Sequence, residues 1–182
     1  METIYKNFHG DFVIAVPEER RTHVWTYRLK LHSGNRNHYG SVDPKNNQIG
    51  GNELDFQFGT DNDTWYVVIK DIQASGHGNG TILLKAMFEH IWEFERENNV
   101  FIEYIKGWLS SMDSKNHWKV SIPFYLNFPN TLEDTNPWKN QLTVQIFLRD
   151  EKQPNKIGHK VDDVKQFMLD GKDGYIVYSR KQ

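Results

Sequence analysis

The stretch Gly76-His77-Gly78-Asn79-Gly80-Thr81-Ile82-Leu83-Leu84 decides how the rest of the chain is read. Its three glycines follow an apolar, strand-like run and open a strongly amphipathic helix that begins at Thr81. A helix N-terminus presents N–H groups without intrahelical partners and a partial positive charge. Glycines there let an anion reach the main chain with no Cβ in the way. The segment therefore predicts a cradle for a phosphate or diphosphate; the plainer alternative is that the glycines only turn a tight corner.

Working outward, Ile82, Leu83, Leu84, Met87, Phe88, Ile91, Trp92 and Phe94 recur at helical spacing, with Lys85, Glu89, Glu93 and Arg96 opposite, up to a stop at Asn98-Asn99. Upstream, Trp65 to Ile69 is apolar on both faces, as in a central strand. Trp25, Tyr27, Leu29 and Leu31 alternate with Thr26, Arg28, Lys30 and His32, the period of a strand with one wet face. Leu54, Phe56 and Phe58 alternate likewise, Phe12 to Val16 reads as a short strand, and the Gly/Asn-rich stretch from Ser33 to Asn52 reads as a loop. Downstream, the β-branched and aromatic run from Val100 to Leu109 completes a βαβ unit, which implies two parallel strands and a right-handed crossover. A helix around Pro123 within Trp118 to Phe128, a strand at Leu142 to Leu148, a short helix at Val161 to Met168 closed by Gly171, and a strand at Tyr175 to Tyr178 follow. The expectation is one α/β (α+β) domain over residues 1–182, a mixed sheet with a central βαβ unit and a β-rich N-terminal region.

Composition narrows the function classes. A formal net charge of -2 with 25% charged residues gives no bulk attraction to nucleic acid or to an anionic membrane surface. With no cysteine there is neither a disulfide framework nor thiol chemistry. The start Met-Glu-Thr-Ile-Tyr-Lys-Asn has no apolar signal core, and nowhere do eighteen apolar residues run together, so a soluble, cytoplasmic protein is expected. Eight histidines include no His-x-x-x-His pair, so no metal site is expected and surface positions are the default for them.

The order β, β, β, Gly-rich loop, helix, β, helix, β resembles the GNAT superfamily of acyl-CoA-dependent N-acetyltransferases. Gly78-Asn79-Gly80-Thr81-Ile82-Leu83-Leu84 looks like that family's pyrophosphate loop and helix start. Ser121-Ile122-Pro123-Phe124-Tyr125-Leu126-Asn127-Phe128 resembles its segment in which a small residue is followed four positions later by Tyr. The likeness runs from about Leu54 to about Leu148. It implies acetyl-CoA as co-substrate, with Gly76, His77, Gly78, Asn79, Gly80 and Thr81 on its diphosphate. It implies that Tyr125 protonates the leaving thiolate and that a carboxylate or water takes the proton of the amine. Where the family has Gly-Phe after the Tyr helix this chain has Pro129-Asn130, and the two helices that follow the family's first strand are absent here.

Two carboxylates are candidates for the base: Asp71, at the end of the apolar strand, and Glu103, expected half-buried between Phe101 and Ile105. The acceptor would be a small-molecule or peptide amine, with the Ser33 to Asn52 region building its site. No nucleic-acid or membrane partner is expected, and the resemblance allows a homodimer. A non-catalytic acyl-CoA-binding or protein-interaction module would keep the glycine loop without needing Tyr125 or a base.

Overall fold

The alternation from Trp25 to Leu31 becomes the middle of a β-meander whose apolar side meets the helix announced by the glycines. A computed structural model describes residues 3–21, 24–34, 43, 45–75, 78–109, 117–149 and 161–180. The chain divides into two compact units, Met1–Ile102 and Glu103–Gln182. Among the described residues there are eight strands and three α-helices, an α+β composition. No helix among them is long and apolar enough to cross a membrane.

In the first unit, β1 (Thr3–Lys6), β2 (Phe12–Arg21), β3 (Val24–His32), β4 (Gln48–Asp61) and β5 (Thr64–Gln73) pair in sequence order, every pair antiparallel. The β4–β5 hairpin turns on Asn62 and Asp63, both at positive φ (48° and 65°), the backbone that a two-residue hairpin following the strand twist requires. Leu29, Leu31, Leu54, Phe56, Phe58 and Val67 are fully buried, as are Leu84, Met87, Phe88 and Ile91 of helix α1 (Asn79–Asn98). Phe58 stacks on Phe94 of α1 at 3.9 Å between ring centroids, and Trp25 meets the same ring at 5.8 Å. Each such side chain contributes about 1.5–3 kcal/mol on burial. The helix stops where Asn98-Asn99 predicted: Asn99 is left-handed (φ 52°), and its N–H and that of Val100 both bond the Glu95 carbonyl. The Glu95 carboxylate accepts the Ile102 N–H at 2.8 Å, so a buried charge is held by a main-chain donor where the chain leaves the helix.

One expectation needs correction, and one strand was not foreseen. The Gly/Asn-rich stretch does not run as loop to Asn52, because β4 already begins at Gln48 and pairs it with His32 across a register shift. Its Gly50-Gly51 hid a strand start, since a bulge uses the same residue type as a turn. The strand β1 carried no signal long enough to read.

In the second unit, β8 (Gly174–Arg180) pairs antiparallel with both β6 (Ile102–Leu109) and β7 (Leu142–Leu148), giving the order β6-β8-β7. A π-helical turn (His117–Ser121) runs into helix α2 (Ile122–Asn127), whose Pro123 supplies no N–H to a tighter turn. Helix α3 (Val161–Leu169) ends before Gly171, which is left-handed as expected. The Tyr178 hydroxyl donates to the Tyr125 carbonyl at 2.7 Å, and the Arg180 guanidinium lies 3.8 Å over the buried Trp138 ring. β5 and β6, the strands before and after α1, fall in different units, and among the described residues the pairings within each unit are antiparallel.

One close backbone approach fixes the end of β3. A Cβ on Gly34 would sit 2.1 Å from the Gly10 carbonyl oxygen, while the Gly34 N–H bonds the Asp11 carboxylate at 3.1 Å and Asn7 braces Asp11 from the other side. Gly34→Ala is expected to push these backbones apart and cost about 1–3 kcal/mol, read as a lower urea midpoint with an unchanged slope.

Candidate functional site

The loop entering α1 is pinned by a residue far away in sequence. Asn52 of β4 is fully buried; its Oδ1 accepts the Ser75 N–H at 2.9 Å, and its Nδ2 donates to the Ser75 hydroxyl and the Gly50 carbonyl, each at 3.0 Å. The Ser75 carbonyl in turn accepts the Asn79 side chain. The Ser75-to-Asn79 crossing is thus clamped at both ends. Gly78, the residue before the helix, is left-handed (φ 85°), its carbonyl takes the Ile82 N–H, and a Cβ placed on it would meet nothing within 4 Å. Asn79, Gly80 and Thr81 form the first turn, which holds no acidic residue, so their N–H groups and the positive helix end face no carboxylate of their own turn. Gly76 and His77 lie outside the described residues.

The carboxylate candidates sit on exposed strand positions. Asp71 of β5 lies directly across from Asp55 of β4, and Gln73 donates to it at 3.1 Å. Asp55 itself is engaged: Arg28 grips both of its oxygens at 2.8 and 2.9 Å and also pairs with Glu18 at 3.2 Å. The hydrogen bonds it donates to Asp55 are the main reason the Arg28 guanidinium is held above its usual pKa. Glu103 is exposed rather than half-buried: it shares a strand face with the buried Ile105, but it stands at the start of β6, where Phe101 on its other side is itself 57% exposed. Tyr125 in α2 is 6% exposed, its ring beside Phe124 at 5.4 Å and Tyr178 at 6.4 Å. Burial pushes the Tyr178 hydroxyl well above its usual pKa, with Tyr125 a lesser cause. Ser121, four residues earlier, is half-buried in the π-helical turn. Gly78 to Thr81 and Asp71 belong to the first unit, Glu103 and Tyr125 to the second.

Sequence reading missed two histidines, because helical or strand period says nothing about what covers a polar position. His32 is 5% exposed, stacked on Phe12 with its Nδ1 2.9 Å from the Asn46 carbonyl oxygen, although its even position predicted the wet face. His90 of α1 is packed against Tyr27 at 4.5 Å and Phe56 at 5.6 Å, and its buried Nδ1 has no hydrogen-bond partner. Burial lowers its pKa to about 4. It lines a cavity of about 200 Å³ in the first unit, bounded by Ile4, Ala15, Pro17 and Tyr27 of the sheet and by Glu93, Phe94 and Glu97 of the helix. No group of residues suited to hold a metal ion occurs among the described residues.

No protein-family model matches the chain, and no curated protein matches it.

His90 gives the fold a pH dependence of known sign. Its folded pKa of about 4 lies below the ordinary value of 6.5, so the unfolded chain binds the extra proton between those values. Stability from this group is complete above pH 6.5 and is lost as pH falls toward 4, by at most about 1.4 kcal/mol per pH unit. Melting wild type and His90→Phe at pH 7 and pH 5 should show a smaller acid-induced drop in the variant.

Proposed function

We propose that this chain is an acyl-CoA-dependent N-acetyltransferase of the GNAT type, moving an acetyl group from acetyl-CoA to an amine. The observation that carries the reading is the loop into α1: an open, left-handed Gly78, clamped through Ser75 by Asn52, ahead of a first turn with no acidic side chain. Such a turn suits a diphosphate, whose charge the N–H groups and the helix dipole both favour. The Gly78 to Leu84 and Ser121 to Phe128 likenesses, in family order, supply the rest.

In this mechanism the first-turn amides at Asn79, Gly80 and Thr81 hold the diphosphate and so fix where the thioester lies. The neutral amine attacks the thioester carbonyl carbon, a C–N bond forms, and the carbonyl π electrons move to oxygen. Collapse of that adduct breaks the C–S bond. The proton lost by the amine nitrogen goes through water to Asp71 or Glu103, both exposed. The Tyr125 hydroxyl gives its proton to the departing thiolate. The products are the N-acetylated amine and free CoA. A sheet face carrying Glu18, Glu53, Asp55 and Asp71 beside Arg28 favours a positively charged acceptor approaching the first unit.

A second reading, a non-catalytic acyl-CoA-binding module, is favoured by the burial of Tyr125, whose carbonyl serves to hold Tyr178. Two measurements separate the readings. Acetyl-CoA at a hundredfold excess over its Kd should stabilise the chain by about 2.7 kcal/mol in a thermal-shift titration. Gly78→Asn, which tolerates the left-handed backbone but fills the open space, should abolish that shift with a small change in its own melting temperature. No shift with wild type removes both acyl-CoA readings. For chemistry, Tyr125→Phe should lower kcat about 10²- to 10⁴-fold at nearly unchanged acetyl-CoA affinity, with release of free CoA followed over a panel of amines. Tight binding without turnover of any amine would leave the non-catalytic module.

A further inference from the structure

The cavity beside His90 has a chemistry of its own, and nothing in the acetyl-transfer reading uses it. His90 is eleven residues beyond Asn79, which at the helical rise is about 16 Å along α1 from the glycine loop. Its wall on the helix side is His90, Glu93, Phe94 and Glu97, one continuous face at spacings of three and four. The sheet side contributes the Tyr27 ring, 4.5 Å from the imidazole, and the apolar Ile4 and Ala15. Among the described residues, no lysine or arginine lines it. The only nearby cation among the described contacts is Arg96, which lies over the Trp92 ring and reaches Glu93 at 4.0 Å, the outer limit of an ion pair.

We propose that this cavity is a binding site for a small organic ammonium ion with a flat apolar body, such as an arylalkylamine. Three features converge on that class. Two carboxylates one helical turn apart, Glu93 and Glu97, place negative charge at the cavity wall. Aromatic rings at Tyr27 and Phe94 offer an apolar bed, and an aromatic ring within reach attracts a cation through its π-system. The imidazole of His90, neutral at pH 7 and with a buried nitrogen that no protein group satisfies, adds a polar atom without repelling a cation. Buried polar groups in native proteins are nearly always partnered, so an unpartnered one on a cavity wall calls for a partner from outside the chain. The volume of about 200 Å³ admits a fragment rather than a cofactor.

The probe is benzylamine, with benzoate and benzyl alcohol as its anionic and neutral counterparts, titrated into the full chain without acyl-CoA. Trp25 and Trp65 lie 5.8 and 5.5 Å from the Phe94 ring, so intrinsic fluorescence reports on the site, and the ring-proton shifts of His90 report independently. Benzylamine should give a saturable change, with benzyl alcohol weaker and benzoate weakest. Replacing both carboxylates (E93Q/E97Q) should weaken benzylamine by about 2- to 25-fold, the product of two exposed charge contacts, and leave benzyl alcohol unchanged. His90→Phe keeps a ring in place and should lower benzylamine affinity while raising the melting temperature, because it removes an unsatisfied buried nitrogen. Equal affinity for all three probes, equal benzylamine affinity in the carboxamide variant with its fold intact, or no saturable response in wild type would each overturn the proposal. None of these outcomes bears on the diphosphate loop, which is tested with acetyl-CoA alone.

Discussion

Everything in the first unit depends on one contact surface, that between α1 and the apolar side of the β2–β5 sheet. Phe58 and Phe94 stack at its centre, with Trp25, Trp65 and Tyr27 closing around them and around His90. The helix is twenty residues long, so fixing its middle fixes both ends at once. Its N-terminus is held at the loop where Asn52 clamps Ser75, and its C-terminal half forms one wall of the His90 cavity. Neither feature could keep its geometry on a helix free to slide, since one residue of register would rotate His90 away from Tyr27 by about 100°.

The parts of this arrangement governed by period were legible in the sequence. Alternation from Trp25 to Leu31 and from Leu54 to Phe58 gave the strands and their buried side, and the helical repeat from Ile82 to Phe94 gave α1 with its stop at Asn98-Asn99. What escaped were consequences of tertiary cover. His32 sits at a nominally wet position, yet the turn before β4 brings the Asn46 carbonyl onto its ring. Glu103 looked half-buried from its alternation with Ile105, yet it stands at the start of β6 beside the exposed Phe101. Asn52 carried no signal, because its partner Ser75 is twenty-three positions away and a buried asparagine in a strand looks like any turn residue until that partner is seen.

For the candidate site the balance is similar. Gly78 was singled out in the sequence by its residue type at a helix start, while its left-handed backbone and the space around it are features of the structure. Tyr125 was readable only by its resemblance, and its surroundings add a structural duty through the Tyr178 hydroxyl. His90 could not be found by pattern, since a histidine on the apolar stripe of a helix fits a packed core as well as a site.

The two charged faces of the first unit are built on opposite logic, and that contrast says where reactivity can reside. On the sheet face turned away from α1, Arg28 engages Asp55 with a two-pronged bond and reaches Glu18 and Glu53, so those carboxylates satisfy one another's field through a shared guanidinium. The guanidinium so held keeps its charge more firmly than a free one, and the cluster serves the fold. Asp71, directly across from Asp55, takes no part in that pairing and among the described residues is met by the neutral Gln73 amide. On the helix face the situation is reversed: the polar group is neutral and unpartnered, and the charges stand at the rim. A buried nitrogen without a partner costs about 1–3 kcal/mol, a cost that an ordinary leucine or phenylalanine at position 90 would remove. Retaining a histidine there is destabilising unless something outside the chain completes its bonding.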